Sequence, residues 1–323
     1  VSNSAEYADW RDEFVLSRDV RAVGRHSELV GAVRRGSLVP VTRGAFRRVE
    51  ALETNPHLRA DDAFLAVVRA TQMLSPIPLV FSGFAAAAVW GLPIIGSWPT
   101  RVDVASAPAA GGRSNKMIRR SSLLHPAESV EREGLRVTTL ARTVVDVGRT
   151  ASFSQATAMA DSALHGRAAT ASRPAREPLT LSALLQQLDR FGHAAGTAKC
   201  RGIVDFADGE SGSPGESLSR AGMKLLGFPA PQLQVPFFDQ NGFIGAVDFW
   251  WPEFKLIGEF DGNGKYLRDE FAKGRTPAQV VIDEKHRENR LRALGNGMTR
   301  WDWSVARSLP ALRAHLENAG VRR

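Results

Sequence analysis

GAVDFWWPEFKLIGEFDGNGKY, residues 245–266, is the stretch that decides how the last third of the chain folds. Two apolar, aromatic-rich runs flank Trp251-Pro252-Glu253. That pattern predicts two strands joined by a tight turn. Asp248 falls toward the end of the first and Glu259 near the end of the second. In an antiparallel pair the two carboxylates approach each other across the ladder. Repulsion and desolvation both oppose that arrangement. A divalent cation reverses both terms, and Mg²⁺ (or Mn²⁺) prefers hard oxygen ligands. Beyond Glu259 the strand breaks at Asp261-Gly262, and Lys265 follows just past the turn.

Upstream, QLQVPFFDQNGFIGAVDFW reads as a hairpin about Asn241-Gly242. Before it, SPGESLSRAGMKLLGFP reads as a helix carrying Glu216 and Arg220, with Leu218, Met223, Leu225 and Leu226 on its apolar side. Glu216 is placed to supply a further metal ligand or to hold a metal-bound water. Lys265 adds positive charge at the same strand end. Together these groups can activate water and stabilise a pentavalent phosphorus centre, which predicts a metal-dependent phosphodiesterase. The plain alternatives are that Glu259 caps a turn, that Asp248 pairs with Arg220, and that Asp261-Gly262 is only a turn. Downstream, VVIDEKHRENRLRALGNGMTRWDW predicts a basic helix, with Lys285, Arg287 and Arg290, and a final strand carrying Trp301 and Trp303. Glu284 and Arg287 are candidates to support the acidic site, or simply a charged helix surface.

The whole chain of 323 residues carries a formal net charge of +8, which favours polyanions, with nucleic acid first and an anionic membrane second. A single cysteine, Cys200, excludes an intrachain disulfide and a cysteine-based zinc cluster. No run approaches the roughly 20 apolar residues of a membrane span. With no secretory pattern at the start of the sequence, the expectation is a cytoplasmic protein without membrane contact.

Residues 1–55 predict a small DNA-binding domain. YADWRDEFVLSRDV is read as a helix with Trp10, Phe14 and Val15 near one face. GRHSELVGAVRRG is read as a second helix ending at Gly36, with Leu29, Val30 and Val33 inward, and SLVPVTRGAFRRVE as two short strands around VTRG. Helices followed by a hairpin are the pattern of a winged helix-turn-helix. Arg25, Arg34, Arg35, Arg43, Arg47 and Arg48 fall on the proposed recognition helix and wing, where they would meet the phosphates of double-stranded DNA. Residues 56–170 predict a small α/β domain with no catalytic set. In it Arg142 and Asp146 form a structural i,i+4 pair, and Thr139 caps their helix. GRAATASRPAREPLT reads as a linker near residues 167–179. Residues 171–204 are therefore assigned to linker and helix, and 205–323 to the last domain. The fold class expected is α+β multidomain.

GESLSR, GAVDFWWPEFKLIGEFDG, KY and EKHRENRLRALGNGMTRWDW resemble the PD-(D/E)XK (restriction-endonuclease-like) superfamily, in its DUF559 branch related to very-short-patch repair endonucleases. The resemblance spans about residues 205–315. It implies a Mg²⁺-dependent endodeoxyribonuclease fold in which Asp248 and Glu259 bind metal and Glu216 is the glutamate of the first helix. Asp261 occupies the place of the lysine in the simplest E-x-K form, as a further metal-ligand candidate, and Lys265 looks like that lysine's replacement. HSELVGAVRRGSLVPVTRGAFRR, SGFAAAAVWGLP and GLRVTTLARTVVDVGR resemble the AbiEi-like antitoxin and transcriptional-regulator family. That resemblance implies a winged helix before a small α/β domain. It leaves open a toxin partner or a homodimer, and a non-catalytic regulator of a type IV toxin–antitoxin system as the alternative function.

Overall fold

The computed structural model describes residues 9–323 except 57, 107–111, 114–116, 122–123, 171–172 and 263–275. It is a mixed α+β protein with three sheets among the described residues, and it divides into two compact units. The first comprises Val1–Thr150 and Arg167–Cys200, the second Ala151–Gly166 and Arg201–Arg323.

The first unit opens with a short 3₁₀ turn, Trp10–Glu13, then β1 (Phe14–Leu16), α1 (Ser17–Ala22), α2 (His26–Arg34), β2 (Leu38–Thr42) and β3 (Ala45–Arg48). The helix expected from Trp10 through Val15 is instead turn and strand. Phe14, Val15 and Leu16 pair antiparallel with Arg47, Phe46 and Ala45, so apolar residues suited to a pleated surface complete a three-stranded sheet of order β1-β3-β2. Leu29 is buried beneath α2, whereas Val30 is exposed. The core of this sheet is not separate. Trp10, Phe14, Leu16 and Ala45 belong to one apolar cluster with Phe64, Leu65 and Val68 of α3 (Arg59–Leu74) and Phe81 of β4 (Val80–Phe81). A boundary at residue 55 therefore cuts through a shared core.

The rest of the unit is α4 (Gly83–Trp90), β5 (Val102–Ser106), β6 (Gly112–Arg113), β7 (Met117–Ser121), β8 (Ser129–Arg132), β9 (Leu135–Thr138) and α5 (Leu140–Thr150). The six strands are ordered β6-β7-β5-β4-β9-β8. Thr139 Oγ1 accepts from the Arg142 amide, and Arg142 bonds Asp146 at 3.1 Å, as the sequence predicts. After α6 (Phe153–His165), which belongs to the second unit, residues 167–200 return to the first. The expected linker is thus a packed hairpin. Arg167 and Arg176 exchange main-chain hydrogen bonds of 2.8 Å, and Arg176 is 3% exposed. The arginines that give this stretch its linker-like composition are what pin it down. α7 (Leu181–Asp189) follows, and the chain passes into the second unit within α8 (Thr197–Val204), where Cys200 is buried.

In the second unit α9 (Pro214–Leu226) precedes β10 (Gln232–Asp239), β11 (Gly242–Trp251) and β12 (Leu256–Phe260). α10 (Pro277–Ala293), β13 (Gly297–Trp301), α11 (Trp303–Ala306) and α12 (Leu309–Asn318) complete it. Trp303, expected on the last strand, opens α11 because Asp302 caps a helix there, accepting from the Ser304 and Val305 amides. The sheet order is β10-β11-β12-β13, antiparallel for the first two pairings and parallel for the last. On one face Phe249 stacks between Trp251 and Trp301, and Trp301 Nε1 donates to Ser219 Oγ of α9 at 2.8 Å. On the other, Leu291 of α10 packs on Ile244, Val247 and Ile257. Gly258 lets the Trp251 and Trp301 rings meet the sheet, since a Cβ there would lie within 2.9 Å of both.

Candidate active site

α9 begins at Ser213, whose Oγ accepts from the Glu216 amide at 3.2 Å, with Pro214 in the first helical turn. Glu216 is 8% exposed, and its Oε2 accepts from the Gly212 amide at 2.9 Å. That bond is an N-terminal cap, which favours a carboxylate at the positive end of the helix. The same Oε2 also accepts from Gln234 Nε2 at 3.2 Å, and Gln234 Nε2 lies 3.4 Å from Asp248 Oδ1. One amide therefore reaches two carboxylates. Gln234 does this from a left-handed backbone, φ 48°, in β10. Such a conformation is costly for a residue with a Cβ and persists where its surroundings hold it.

Asp248 Oδ2 accepts from the Phe260 amide at 2.8 Å, where β11 and β12 meet. Burial pushes the Asp248 carboxyl up to about 7. The neighbouring Glu216 adds to the rise, the Phe260 N–H opposes it, and Glu259 contributes a smaller repulsion. Glu259 itself faces α10 and β13. Its Oε1 accepts from Arg287 Nη2 at 2.7 Å and its Oε2 from Arg300 Nε at 2.8 Å. Arg300 is shared with Glu284 and Glu288, and Arg287 also donates to the Ala246 carbonyl.

The grouping expected from sequence is therefore altered. Asp248 is joined to Glu216 through Gln234, while the Glu259 carboxylate is taken up by two guanidinium groups. Arg220 does not serve Asp248: it pairs with Asp161 at 2.7 Å. Asp261 is exposed and continues the parallel ladder, its amide donating to the Trp301 carbonyl at 2.7 Å. Lys265 lies outside the described residues. The sequence does not single out Gln234 or Arg300. Gln234 is one of several polar residues on its strand, and only the three-dimensional pairing marks it.

Among the described residues no group of three or more histidine, cysteine, aspartate or glutamate side chains is arranged to hold a metal ion. The donor chemistry of Glu216 and Asp248 nonetheless fits one. Glu216, buried, and Asp248, half-buried and with its proton affinity raised by the Glu216 charge, are hard oxygen donors that a divalent cation such as Mg²⁺ or Mn²⁺ would stabilise. Glu259 is a poor third ligand, because binding a metal would cost it two charge-assisted hydrogen bonds.

No family model matches the chain. An uncharacterized protein of Mycobacterium tuberculosis, known as Rv2248 and, in another strain, MT2308, is 34% identical over 167 residues, 48% of this chain and 58% of the relative. The chain thus spans little more than half the length of these curated relatives. Among solved structures, the crystal structure of the RV2827C protein from Mycobacterium tuberculosis is similar with a TM-score of 0.38 and 13% identity, over 71% of this chain and 84% of that one.

The arginines expected at a DNA surface separate into two groups. Arg34 and Arg35 at the end of α2, Arg43 in the turn between β2 and β3, and Arg48 after it are exposed. Arg25 is exposed and paired with Glu28. Arg47 is a correction: it is 4% exposed, and Glu13 and Asp62 hold its guanidinium at 2.8 and 2.6 Å. It joins β3 to the turn before β1 and to α3, and is not available to a phosphate.

Proposed function

We propose that this is a DNA-binding protein whose second unit is a metal-dependent, endonuclease-like phosphodiesterase centred on Glu216 and Asp248. The observation that carries the reading is the pair of sequestered carboxylates brought together by Gln234 at the junction of α9 with the sheet. The order helix, three antiparallel strands, helix, strand supports it, because it is the order the sequence predicts across the stretch that resembles the PD-(D/E)XK superfamily. The α1–α2 pair with the β2–β3 hairpin, carrying Arg34, Arg35, Arg43 and Arg48, supports a winged-helix contact with duplex DNA.

In this reading Asp248 and Glu216 hold Mg²⁺ or Mn²⁺, which would supply positive charge against a non-bridging phosphate oxygen. Gln234 keeps the two carboxylates in register before the ion arrives. The Phe260 N–H fixes one Asp248 oxygen and leaves the other directed at the shared site. Glu259 orients Arg287 and Arg300 rather than binding metal. Lys265, from the resemblance, is the candidate to offset charge on the phosphate.

The second reading is a non-catalytic DNA-binding regulator or antitoxin. Its supporting observation is the Glu259 carboxylate held by two arginines, which removes one acid from the expected metal set. Single-turnover cleavage of labelled duplex separates the two. Cleavage that needs Mg²⁺ or Mn²⁺ and is lost in Asp248→Ala, with DNA binding retained, is the expected result. Absence of cleavage of duplex, mismatched and single-stranded DNA by the wild type would leave the regulator.

A further inference from the structure

In the second unit the arginines of α10 and β13 are each held by a carboxylate. Arg287 and Arg300 hold Glu259 at 2.7 and 2.8 Å, Arg290 holds Asp239 at 2.6 Å, and Arg292 holds Glu288 at 2.8 Å. Arg307, which follows α11, differs. It is exposed, and among the described residues its guanidinium makes no hydrogen bond and no ion pair. It lies instead 4.8 Å over the ring of Trp303, one helical turn earlier. Trp303 meets the Phe260 ring edge to face at 5.1 Å, and Phe260 lies against Gly215 at the start of α9. Gly215 precedes Glu216, and the Phe260 amide is the donor to Asp248. Two ring contacts thus connect a cation to the junction where the two acids meet.

A guanidinium over an indole is a common stabilising contact, which accounts for the stack itself. It does not account for the donors. Stacking occupies the flat face of the guanidinium, while its five N–H groups lie in the plane and stay open. They match the oxygens of a phosphate two at a time. Trp303 also holds the side chain in place, so less freedom is lost when a ligand binds. The surroundings select the ligand. A nucleic-acid strand carries a negative charge at every nucleotide. Glu216 and Asp248 repel such a strand, and the divalent ion they suit answers that repulsion at one phosphate only. The phosphates on either side need a cation that is not already neutralised, and the ion-paired arginines of α10 and β13 do not supply it.

We propose that Arg307, presented by Trp303, binds a backbone phosphate of DNA that flanks the phosphate at Glu216 and Asp248. This rests on the reading of those acids as the place where the phosphodiester lies, and it adds a substrate-binding residue outside the reacting atoms. Fluorescence anisotropy of a labelled duplex tests it on the full chain, with Ca²⁺ in place of Mg²⁺ and the strands checked intact on a denaturing gel. Arg307→Gln should weaken binding roughly tenfold, the scale of one hydrogen bond to a charged group. It should also lower the slope of log affinity against log salt by about 0.9, the share of one phosphate. Arg307→Lys should keep the slope, because the charge remains, and lose part of the affinity, because the fork is gone. Arg322→Gln removes an exposed charge near the end of the chain and should change neither. Undetectable duplex binding by the wild type, unchanged affinity and slope in Arg307→Gln, or an equal change in Arg322→Gln would overturn the proposal. Cleavage of the same duplex in Mg²⁺ is scored separately. A lowered slope without cleavage by the wild type keeps the phosphate contact and rejects hydrolysis at the acids. Cleavage with an unchanged slope keeps hydrolysis and rejects the contact.

Discussion

Asp161 is a buried and Asp248 a half-buried aspartate of the second unit, and they are treated in opposite ways. Asp161, fully buried in α6, receives Arg220 at 2.7 Å and the Asp208 amide at 2.8 Å. Burial still pushes its carboxyl up to about 6, against the pull of Arg220. Asp248 has an amide and a main-chain N–H as its described donors, and two glutamates that repel it, and it rises to about 7. The first acid is closed by its partner and ties α6 to α9. The second stands among acids, where a cation would lower the energy of the folded state. Burial alone does not distinguish the two acids. The sign of their neighbours does.

Asp161→Ala should have the largest effect on stability. It leaves Arg220 buried without its carboxylate, and a loss of about 3–5 kcal/mol in denaturant unfolding is expected. If the loss is within error, Asp161 is not the structural member of the comparison.

Asp248→Asn should go the other way. A carboxyl that titrates near 3.9 when unfolded and about 7 when folded takes up a proton on folding between those values. Stability is therefore greatest at or below the unfolded value, falls as pH rises from about 4 to 7, and is flat above. The cost at pH 8 is on the order of 4 kcal/mol. Asparagine keeps the acceptor for the Phe260 N–H and carries no charge, at the cost of the long 3.4 Å contact from Gln234, so the variant should gain stability at pH 8 and lose this slope. Parallel urea melts of wild type and variant across pH 4.5–8 measure both.

Gln234→Glu sharpens the same contrast. A third carboxylate should lower ion-free stability by roughly 1–2 kcal/mol, because the shared donor is lost. It should raise Mn²⁺ affinity by roughly tenfold, the scale of altering a group beside a metal site. Titration calorimetry with Mn²⁺ reads this without any substrate.

The smallest effect separates the arginines of the first unit. Arg34→Ala/Arg35→Ala should leave the fold intact and reduce the slope of log affinity against log salt for duplex DNA by about 2, near 0.9 for each phosphate no longer neutralised. Arg47→Ala should instead weaken folding, since Glu13 and Asp62 lose their common partner.

Much of the second unit is legible because its signals are local. The Asn241-Gly242 turn, the Pro252 turn, the Ser213-Pro214 start of α9 and, apart from Trp303, the α10–β13 run lie where the sequence places them. The partners of the acids are less legible, because they depend on register. A shift in pairing between Phe237 and Phe238 carries Gln234 opposite Asp248, one place from where a regular hairpin would set it. Glu259 follows Gly258, whose face is filled by Trp251 and Trp301, so its side chain turns toward α10 and meets Arg287 and Arg300. In the first unit the arginine-rich stretch at 167–176 reads as linker by composition, and nothing local to it announces the carbonyls of α4 that bind it. Phe14 to Leu16 reads locally as helix because its strand partner lies beyond two intervening helices.

Gly215 sits against the ring of Phe260, so closely that a Cβ on residue 215 would fall 1.9 Å from a ring carbon. The residue after Gly215 is Glu216, and the main-chain N–H of Phe260 is the one Asp248 accepts. The ring is thus the latch that holds the start of α9, with Glu216, against the strand end where Asp248 is bonded. In kinetic terms, the acids stay apart and solvated until a contact distant in sequence has closed. Their mutual repulsion then arises only once that long-range contact forms. An ion present at that stage would chiefly slow unfolding, because the interaction it makes does not exist until the latch is shut.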